Sequence, residues 1–128
     1  MIKSAVMLGA NETRARAELK KSFEFESVLA NISIPVHERR NYTNLYNKMK
    51  IKEIKKIAKN TDWLKLFKSI LRQPISADQE VIVQVPKFII DLDNILARYS
   101  KRDVANYMIW RVVLNSMMTL NKAWQDNL

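Results

Sequence analysis

The chain offers few residues whose types and spacing could perform catalysis or bind a metal. Its 128 residues include one histidine, His37, and no cysteine. This composition excludes a disulfide scaffold, a thiol nucleophile and any internal zinc site that needs two imidazoles or thiolates. His37 lies in a polar segment after a proline, without a second ligand nearby in the sequence, which is typical of a surface residue. The residues therefore predict no catalytic group and no metal ligand within this chain.

The segment Asp91-Leu92-Asp93-Asn94 could suggest a calcium site. It lacks the glycine and the distal glutamate that a calcium-binding loop requires, and its apolar neighbours recur with helical spacing. We therefore interpret the two carboxylates as part of a solvated helix face.

Three Asn-x-Ser/Thr sequons could carry a modification instead of a reaction. They begin at Asn11, Asn31 and Asn41, a modest excess over chance. Such sequons accept N-linked glycans when a protein enters the secretory pathway. All three asparagines are therefore glycosylation candidates, provided that the protein is secreted or displayed on a cell surface.

The net charge of +9 is concentrated in the first 72 residues, which hold 16 basic and 7 acidic side chains. Its densest part is a lysine run that contains one glutamate and the residues Lys48, Lys50, Lys52, Lys55, Lys56 and Lys59. Such a run could bind nucleic acid or an anionic surface. It contains no arginine and belongs to no recognisable reading element, so the interpretation favours a solvated face. A basic helical binding module remains the alternative.

Glu26 and Arg111 each fall on an otherwise apolar helical face, where an unpaired charge would be costly. We hypothesise that Glu26 meets Arg111 or a loop arginine. Glu26 could instead lie at a solvated edge, and Arg111 could reach toward another part of a larger protein.

Large apolar side chains in the same region could form a ligand-binding stripe, but their helical spacing is more typical of a core. These side chains are Trp63, Trp110, Trp124, Met108, Met117 and Met118.

The elements that must position these residues are mainly helices. Apolar periodicity and capping residues predict an all-α chain with five to six helices. We expect them at about 2–8, 12–31, 51–59, 63–71, 87–99 and 101–126. The last is predicted to be a long, buried helix and not a membrane span, because Arg111 would lie near the centre of its short apolar stretch. At most one strand-like segment is expected, at 81–85, and it either pairs outside the chain or serves as an extended linker.

Five segments, in order, resemble one family of proteins. Residues 25–35 read Phe-Glu-Ser-Val-Leu-Ala-Asn-Ile-Ser-Ile-Pro, similar to the Phe-Glu-x-x-Leu-Ala-Asn-x-Thr/Ser-x-Pro run of the neprilysin and endothelin-converting enzyme family. The segments 39–49, 62–64, 81–85 and 105–113 resemble further parts of that family, the last through Asn-Tyr-Met-Ile-Trp-Arg-Val-Val. These co-linear matches identify the chain as a relative of the family.

The resemblance implies a zinc metalloendopeptidase of the cell surface or secretory pathway that cuts peptides. Residues 1–128 resemble part of the amino-terminal helical region, which helps to enclose the catalytic cavity. The family's zinc motif, His-Glu-x-x-His with a downstream glutamate, has no counterpart here, so zinc is expected in the parent enzyme and not in this chain.

We therefore expect a single helical segment that is inactive alone. Its expected partners are the remainder of the parent peptidase and, through that parent, peptide substrates. Nucleic acid is not an expected partner, and a membrane is expected only through the parent's anchor. A stand-alone helical adaptor is the other alternative.

Overall fold

The computed structural model describes residues 1–127 and confirms that the chain is mainly helical. Seven α-helices and two short β-strands occur within this range, together with one 3-10 turn at Glu38–Arg40. The helices are α1 (Ile2–Met7), α2 (Glu12–Ile32), α3 (Ile51–Ile57), α4 (Trp63–Ile70), α5 (Pro86–Leu96), α6 (Lys101–Met117) and α7 (Lys122–Gln125). The strands are β1 (Lys48–Lys50) and β2 (Glu80–Ile82).

Local capping signals explain where several helices begin and end. The Asn11 carboxamide accepts from the Arg14 N–H over 3.1 Å, and this bond caps the start of α2. Asp62 caps α4 and Ser100 caps α6 in the same way, each also at 3.1 Å. Gly9 follows α1 with a φ of +92°, a left-handed conformation that favours glycine after a helix.

The described residues form two compact units. The first combines Met1–Asn31 with the chain from Tyr99 onwards, and so contains α1, α6, α7 and nearly all of α2. Its core centres on Phe25, which is 2% exposed. The rings of Tyr99 and Tyr107 meet Phe25 edge-on, with centroid distances of 4.9 and 5.1 Å.

The phase of the buried face of α2 differs from the expected one. Helical periodicity places Ala15, Leu19 and Phe23 on one apolar face, which Phe25 widens, but Phe23 is 62% exposed. The buried residues of α2 are Ala15, Ser22 and Phe25, which are also spaced along one face of a helix. Because Ser22 is small and polar, a count of apolar residues does not reveal that this face is the covered one.

The predicted long, buried C-terminal helix is wrong in two respects. Helix α6 ends at Met117, and α7 starts after Asn121 instead of continuing to about residue 126. Only one side of α6 is covered within its unit: Met117 is fully buried, whereas Met108 and Val112 are exposed. The apolar content of α6 therefore exceeds what this chain itself can bury.

The second unit, Ile32–Arg98, packs α3, α4 and α5 with the small sheet. Its buried apolar residues are Ile51, Ile54, Ala58, Ile75, Val83 and Ile95. The strands β1 and β2 are antiparallel, with Met49 opposite Val81. This corrects the expectation of at most one strand-like segment that either pairs outside the chain or serves as an extended linker, because its partner strand lies within the chain.

Candidate functional site

The described residues contain no group of three His, Cys, Asp or Glu side chains that could hold a metal ion. The His37 side chain is 80% exposed, and its Nε2 atom lies 3.8 Å from the Glu38 carboxylate. A zinc site of the family type needs two imidazoles and a carboxylate, so the residues of this chain do not fit that metal.

Asp93 is a buried polar anchor and not part of a solvated face, which corrects the sequence-based interpretation. It is 2% exposed, and its carboxylate accepts from the Asn60 N–H over 2.8 Å and from the Thr61 hydroxyl over 2.6 Å. Burial alone would raise the pKa of Asp93, but the bonds from Thr61 and Asn60 outweigh it and the pKa is lowered. Asp93 therefore stays ionised and ties the turn before α4 to α5. Asp91 forms an exposed ion pair with Lys87.

Acidic side chains from the segment 78–80 pair with half of the lysine run. Lys48 lies 2.7 Å from Glu80, and both Lys50 and Lys52 contact Asp78, at 3.5 and 2.5 Å. Hydrogen bonds to these carboxylates raise the pKa of Lys48 and of Lys52. Because its acidic partners lie about thirty residues further along, the run looked more basic in the sequence than it is in the fold.

The remaining lysines of the run are directed elsewhere. The Lys55 ammonium donates to the carbonyl oxygens of Lys59, over 2.7 Å, and Thr61, over 3.0 Å. These bonds close the carboxyl end of α3, where a cation is favourable. Lys55 thus serves the local fold, and Lys56 and Lys59 are exposed surface residues.

The structure brings Glu26 and Arg111 together within the first unit. The Arg111 guanidinium donates to the Glu26 carboxylate over 2.8 Å and links α2 to α6. Their side chains are 32% and 45% exposed, so neither charge is deeply buried. The pair is therefore a partly solvated ion pair that joins two helices.

A second acidic residue, Glu18, has more partners and was not singled out from the sequence. Its carboxylate accepts one hydrogen bond from Arg14 over 2.8 Å and two from Arg102 over 2.8 and 3.0 Å. It also accepts one from the Asn106 carboxamide over 3.0 Å. The bonds from Arg14, Arg102 and Asn106 lower the pKa of Glu18 to about 2. The contacts with α6 span more than eighty residues, so no local sequence signal could have revealed them.

A groove of about 540 Å³ lies beside this network, between α1, α2 and α6 of the first unit. Its apolar wall consists of Ala5, Leu8, Leu19, Ile109, Trp110 and Val113. Its polar rim consists of Asn11, Arg14, Glu18 and Asn106. Trp110, expected in the core, therefore lines an open groove.

The other large side chains that were expected in the core divide between two environments. Met117 is fully buried, but Met108 and Met118 are exposed. Trp63 is half-buried, and its indole N–H donates to the Ala58 carbonyl over 2.8 Å. The core interpretation holds for Met117 and is wrong for the two exposed methionines.

A wider groove of about 1010 Å³ lies within the second unit. Val81, Val83 and Ile89 contribute to its apolar lining, and Tyr42 and Tyr46 contribute aromatic side chains. Arg39 also lines this groove, and its guanidinium donates to the Ile34 carbonyl over 3.2 Å. Its described lining residues include no histidine, cysteine, aspartate or glutamate.

All three sequon asparagines are exposed in the structure. Asn11 caps α2, and Asn31 is the penultimate residue of the same helix. Asn41 lies in the loop before β1, where its carboxamide accepts from the Asn44 N–H over 3.4 Å. Over residues 1–127, the structure contains no helix with both the length and the apolar character needed to cross a bilayer.

Comparison with known proteins gives relatives along the whole chain. The model of peptidase family M13 matches residues 1–128. Neprilysin-2 of Drosophila melanogaster is 38% identical over 114 residues, which cover 88% of this chain and 15% of that protein. Neprilysin-3 of the same fly is 31% identical over 134 residues, an alignment that covers 98% of this chain and 17% of that protein. An endothelin-converting enzyme homolog of Locusta migratoria is 30% identical over 134 residues, an alignment that covers 98% of this chain and 18% of that protein.

A solved structure has the same fold at low sequence identity. It is the cryo-electron microscopy structure of a zinc metalloprotease of Mycobacterium tuberculosis in its open state, with a TM-score of 0.75 and 16% identity. The match covers 91% of this chain and 18% of that one. The chain therefore spans less than a fifth of the length of the proteins that it matches. It belongs to peptidase family M13 and represents part of the amino-terminal region of a neprilysin-like member.

Proposed function

We propose that this chain is a non-catalytic helical portion of a neprilysin-like zinc metalloendopeptidase, and that it helps to enclose the cavity where the parent enzyme cleaves peptides. One observation carries the proposal: the family model matches the whole chain, yet the chain spans only 15 to 18% of the relatives named above. The role in enclosing the cavity rests on the resemblance of its motifs to the helical region of that family.

The small number of potential metal ligands in this chain supports the assignment of zinc to the parent enzyme and not to this chain. One exposed histidine and no cysteine cannot reproduce the family's two-histidine motif. The buried carboxylate of Asp93 is already engaged by Asn60 and Thr61. The residues of this chain therefore serve the fold, and the chemistry of peptide cleavage belongs to another part of the polypeptide.

The proposed location is the cell surface or the extracellular space, as the resemblance to the neprilysin family implies. Membrane attachment would come only through an anchor of the parent. The exposure of Asn11, Asn31 and Asn41 supports the proposal that at least one of them carries a glycan. The proposed partners are the remainder of the parent and, through it, peptide substrates.

The fold gives less support to a nucleic-acid module. Three lysines of the basic run pair with Asp78 and Glu80, so the run presents less unbalanced charge than its sequence indicates. Backbone binding of nucleic acid depends on such unbalanced charge. The ion pairs therefore support a solvated structural face.

Expression of the complete reading frame, next to the 128-residue chain, tests the proposal. We expect the complete protein to contain one zinc ion and to hydrolyse a fluorogenic peptide, with loss of activity in a chelator and recovery on adding zinc. The 128-residue chain should show neither zinc binding nor hydrolysis. Zinc-dependent hydrolysis by the short chain would contradict a non-catalytic role, and an inactive, zinc-free complete protein would contradict the assignment to a peptidase.

A further inference from the structure

Helices α3 and α4 and the turn between them carry an excess of cations. Residues 51–72 hold seven basic and two acidic side chains. The two carboxylates, Glu53 and Asp62, each accept a backbone N–H at the start of a helix. Lys52 pairs with Asp78, and Lys55 is bonded to backbone carbonyls.

The other five cations of this stretch are exposed and form no ion pair with any residue in the range 1–127. They are Lys56, Lys59, Lys65, Lys68 and Arg72. We refer to these five residues as the α3–α4 cations. The ion pairs that neutralise the first half of the lysine run therefore leave this second group of charges unbalanced.

The turn between the two helices is fixed by hydrogen bonds, so the cations are presented on an ordered backbone. Asn60 and Thr61 donate to the buried carboxylate of Asp93. The Trp63 indole N–H donates to the Ala58 carbonyl over 2.8 Å, across the same turn. Because this backbone is already ordered, a partner that binds here loses little free energy in fixing it.

The distribution of the cations favours a partner with repeated negative charge. Lys65 and Lys68 lie three residues apart within α4, where the Cβ atoms of such neighbours are about 5–6 Å apart. Like charges at this spacing repel each other, and a bound polyanion removes the repulsion. Four of the five residues are lysines, which bind anions as point charges. Lysine-rich segments of this kind bind heparin-like polymers or nucleic acid.

The surroundings of the cations distinguish between the classes of polyanion. Single-stranded nucleic acid binds through exposed aromatic side chains on which its bases stack. The aromatic residues of the stretch 51–72 are Trp63 and Phe67, and both are half-buried. Anionic lipids belong to the cytoplasmic leaflet of a membrane, whereas the proposed location of this protein is outside the cell. A sulfated polysaccharide carries repeated negative charge, needs no stacking surface and occurs outside the cell.

We infer that the α3–α4 cations bind a sulfated polysaccharide of the cell surface or the extracellular matrix. The inference rests on the proposed function, because the extracellular location comes from it. Binding takes no part in peptide cleavage. It retains the parent enzyme where the polysaccharide is abundant.

Binding of the complete protein to immobilised heparin, measured by surface plasmon resonance at about 0.15 M salt, tests this inference. The test variant replaces three of the α3–α4 cations: Lys56→Gln, Lys59→Gln and Lys68→Gln. The matched control replaces three exposed lysines of the first unit: Lys3→Gln, Lys20→Gln and Lys101→Gln. We expect the test variant to lose affinity by at least about tenfold and the control by less than about twofold, because only the test variant loses contacts with the polymer.

Competition in solution identifies the class of polyanion. Soluble heparin should displace the complete protein from the surface, whereas chemically desulfated heparin, single-stranded RNA and phosphatidylserine vesicles should not. Both triple variants should keep the Tm and the peptidase activity of the parent, because all six lysines are exposed. Equal losses of heparin affinity in the two variants, no binding at about 0.15 M salt, or displacement by desulfated heparin, RNA or vesicles would overturn the inference.

The parent activity separates this inference from the proposed function. If the complete protein cleaves peptide with zinc but does not bind heparin, the inference alone fails. If the complete protein neither binds zinc nor cleaves peptide, the proposed function fails whatever its affinity for heparin.

Discussion

Removal of the Asp93 carboxylate should destabilise the second unit, although the residue lies in a stretch that resembles a solvated helix face. The carboxylate is 2% exposed and receives the Asn60 N–H and the Thr61 hydroxyl. In the variant Asp93→Ala, both donors lose an ionised acceptor. Asp91 provides a matched control, because it is a carboxylate of the same helix whose partner, Lys87, is an exposed cation.

The expected magnitude follows from the number and type of bonds lost. A hydrogen bond to a charged group contributes about 1.5–3 kcal/mol, so loss of two such bonds in Asp93→Ala should lower the free energy of unfolding by about 3–6 kcal/mol. Asp93→Asn keeps an acceptor but loses the charge, and should cost about 1–3 kcal/mol. Asp91→Ala breaks one i, i+4 ion pair at the surface and should cost about 0.3–0.5 kcal/mol.

The effect should depend on pH with a defined sign. The pKa of Asp93 is lower in the fold than its ordinary value of 3.8, so the unfolded chain binds a proton more readily than the folded chain. The stabilisation is therefore fully present above about pH 4. It is lost as the pH falls through the folded pKa, and the difference between the parent chain and Asp93→Asn should shrink over that range.

Urea unfolding followed by far-ultraviolet circular dichroism, at pH 7 and at pH 3, measures these differences. Hydrogen exchange of the Asn60 amide provides a local readout, because that N–H should lose protection in Asp93→Ala, which removes its acceptor, and keep it in Asp91→Ala. Equal destabilisation by Asp93→Ala and Asp91→Ala, or an Asn60 amide that exchanges as in the parent chain, would refute the reasoning.

Three further predictions concern the first unit and the sequons. A carbon-13 titration of the Glu18 carboxyl should give a pKa of about 2, and Arg102→Met should move it toward its ordinary value of 4.5; a pKa near 4.5 in the parent chain would contradict the network. In urea unfolding, Phe25→Ala should lower the free energy of unfolding by about 3–5 kcal/mol and Phe23→Ala by less than about 0.5 kcal/mol, because only Phe25 is packed. Equal losses for the two variants would contradict a core centred on Phe25. After expression through a secretory pathway, a peptide N-glycosidase should lower the mass of the protein, and Asn→Gln variants at the three sequons should identify the modified residue; an unchanged mass would rule out glycosylation under those conditions.

Capping chemistry made many helix boundaries predictable. Asn11, Asp62 and Ser100 each accept from a backbone N–H three residues later, and such bonds depend only on neighbours in the sequence. Gly9 ends α1 for a similarly local reason. The family motifs, which are also runs of neighbouring residues, were recognisable in the same way.

Long-range partners were not predictable from the same signals. The Lys-Met-Lys segment of β1 has little strand propensity, and it forms a strand because the segment at Glu80–Ile82 pairs with it. Asp93 was misinterpreted because its donors, Asn60 and Thr61, lie more than thirty residues earlier. Glu18 was overlooked because it meets Arg102 only after the chain folds.

The exposed part of α6 illustrates a different limit. Hydropathy indicates that Met108, Ile109 and Val112 should be buried, but not which molecule or segment buries them. Within the described chain they remain exposed. The apolar pattern was therefore interpreted as a buried helix when it records a surface that this chain leaves uncovered.

The division of the first unit between the two ends of the chain has a consequence for synthesis on the ribosome. Residues 32–98 are continuous and can fold as soon as they emerge. Helix α2 is made earlier, yet Phe25 meets Tyr99 and Tyr107 only after the whole intervening segment has been translated. During that interval the Phe25 side chain lacks the two aromatic rings that cover it in the folded unit.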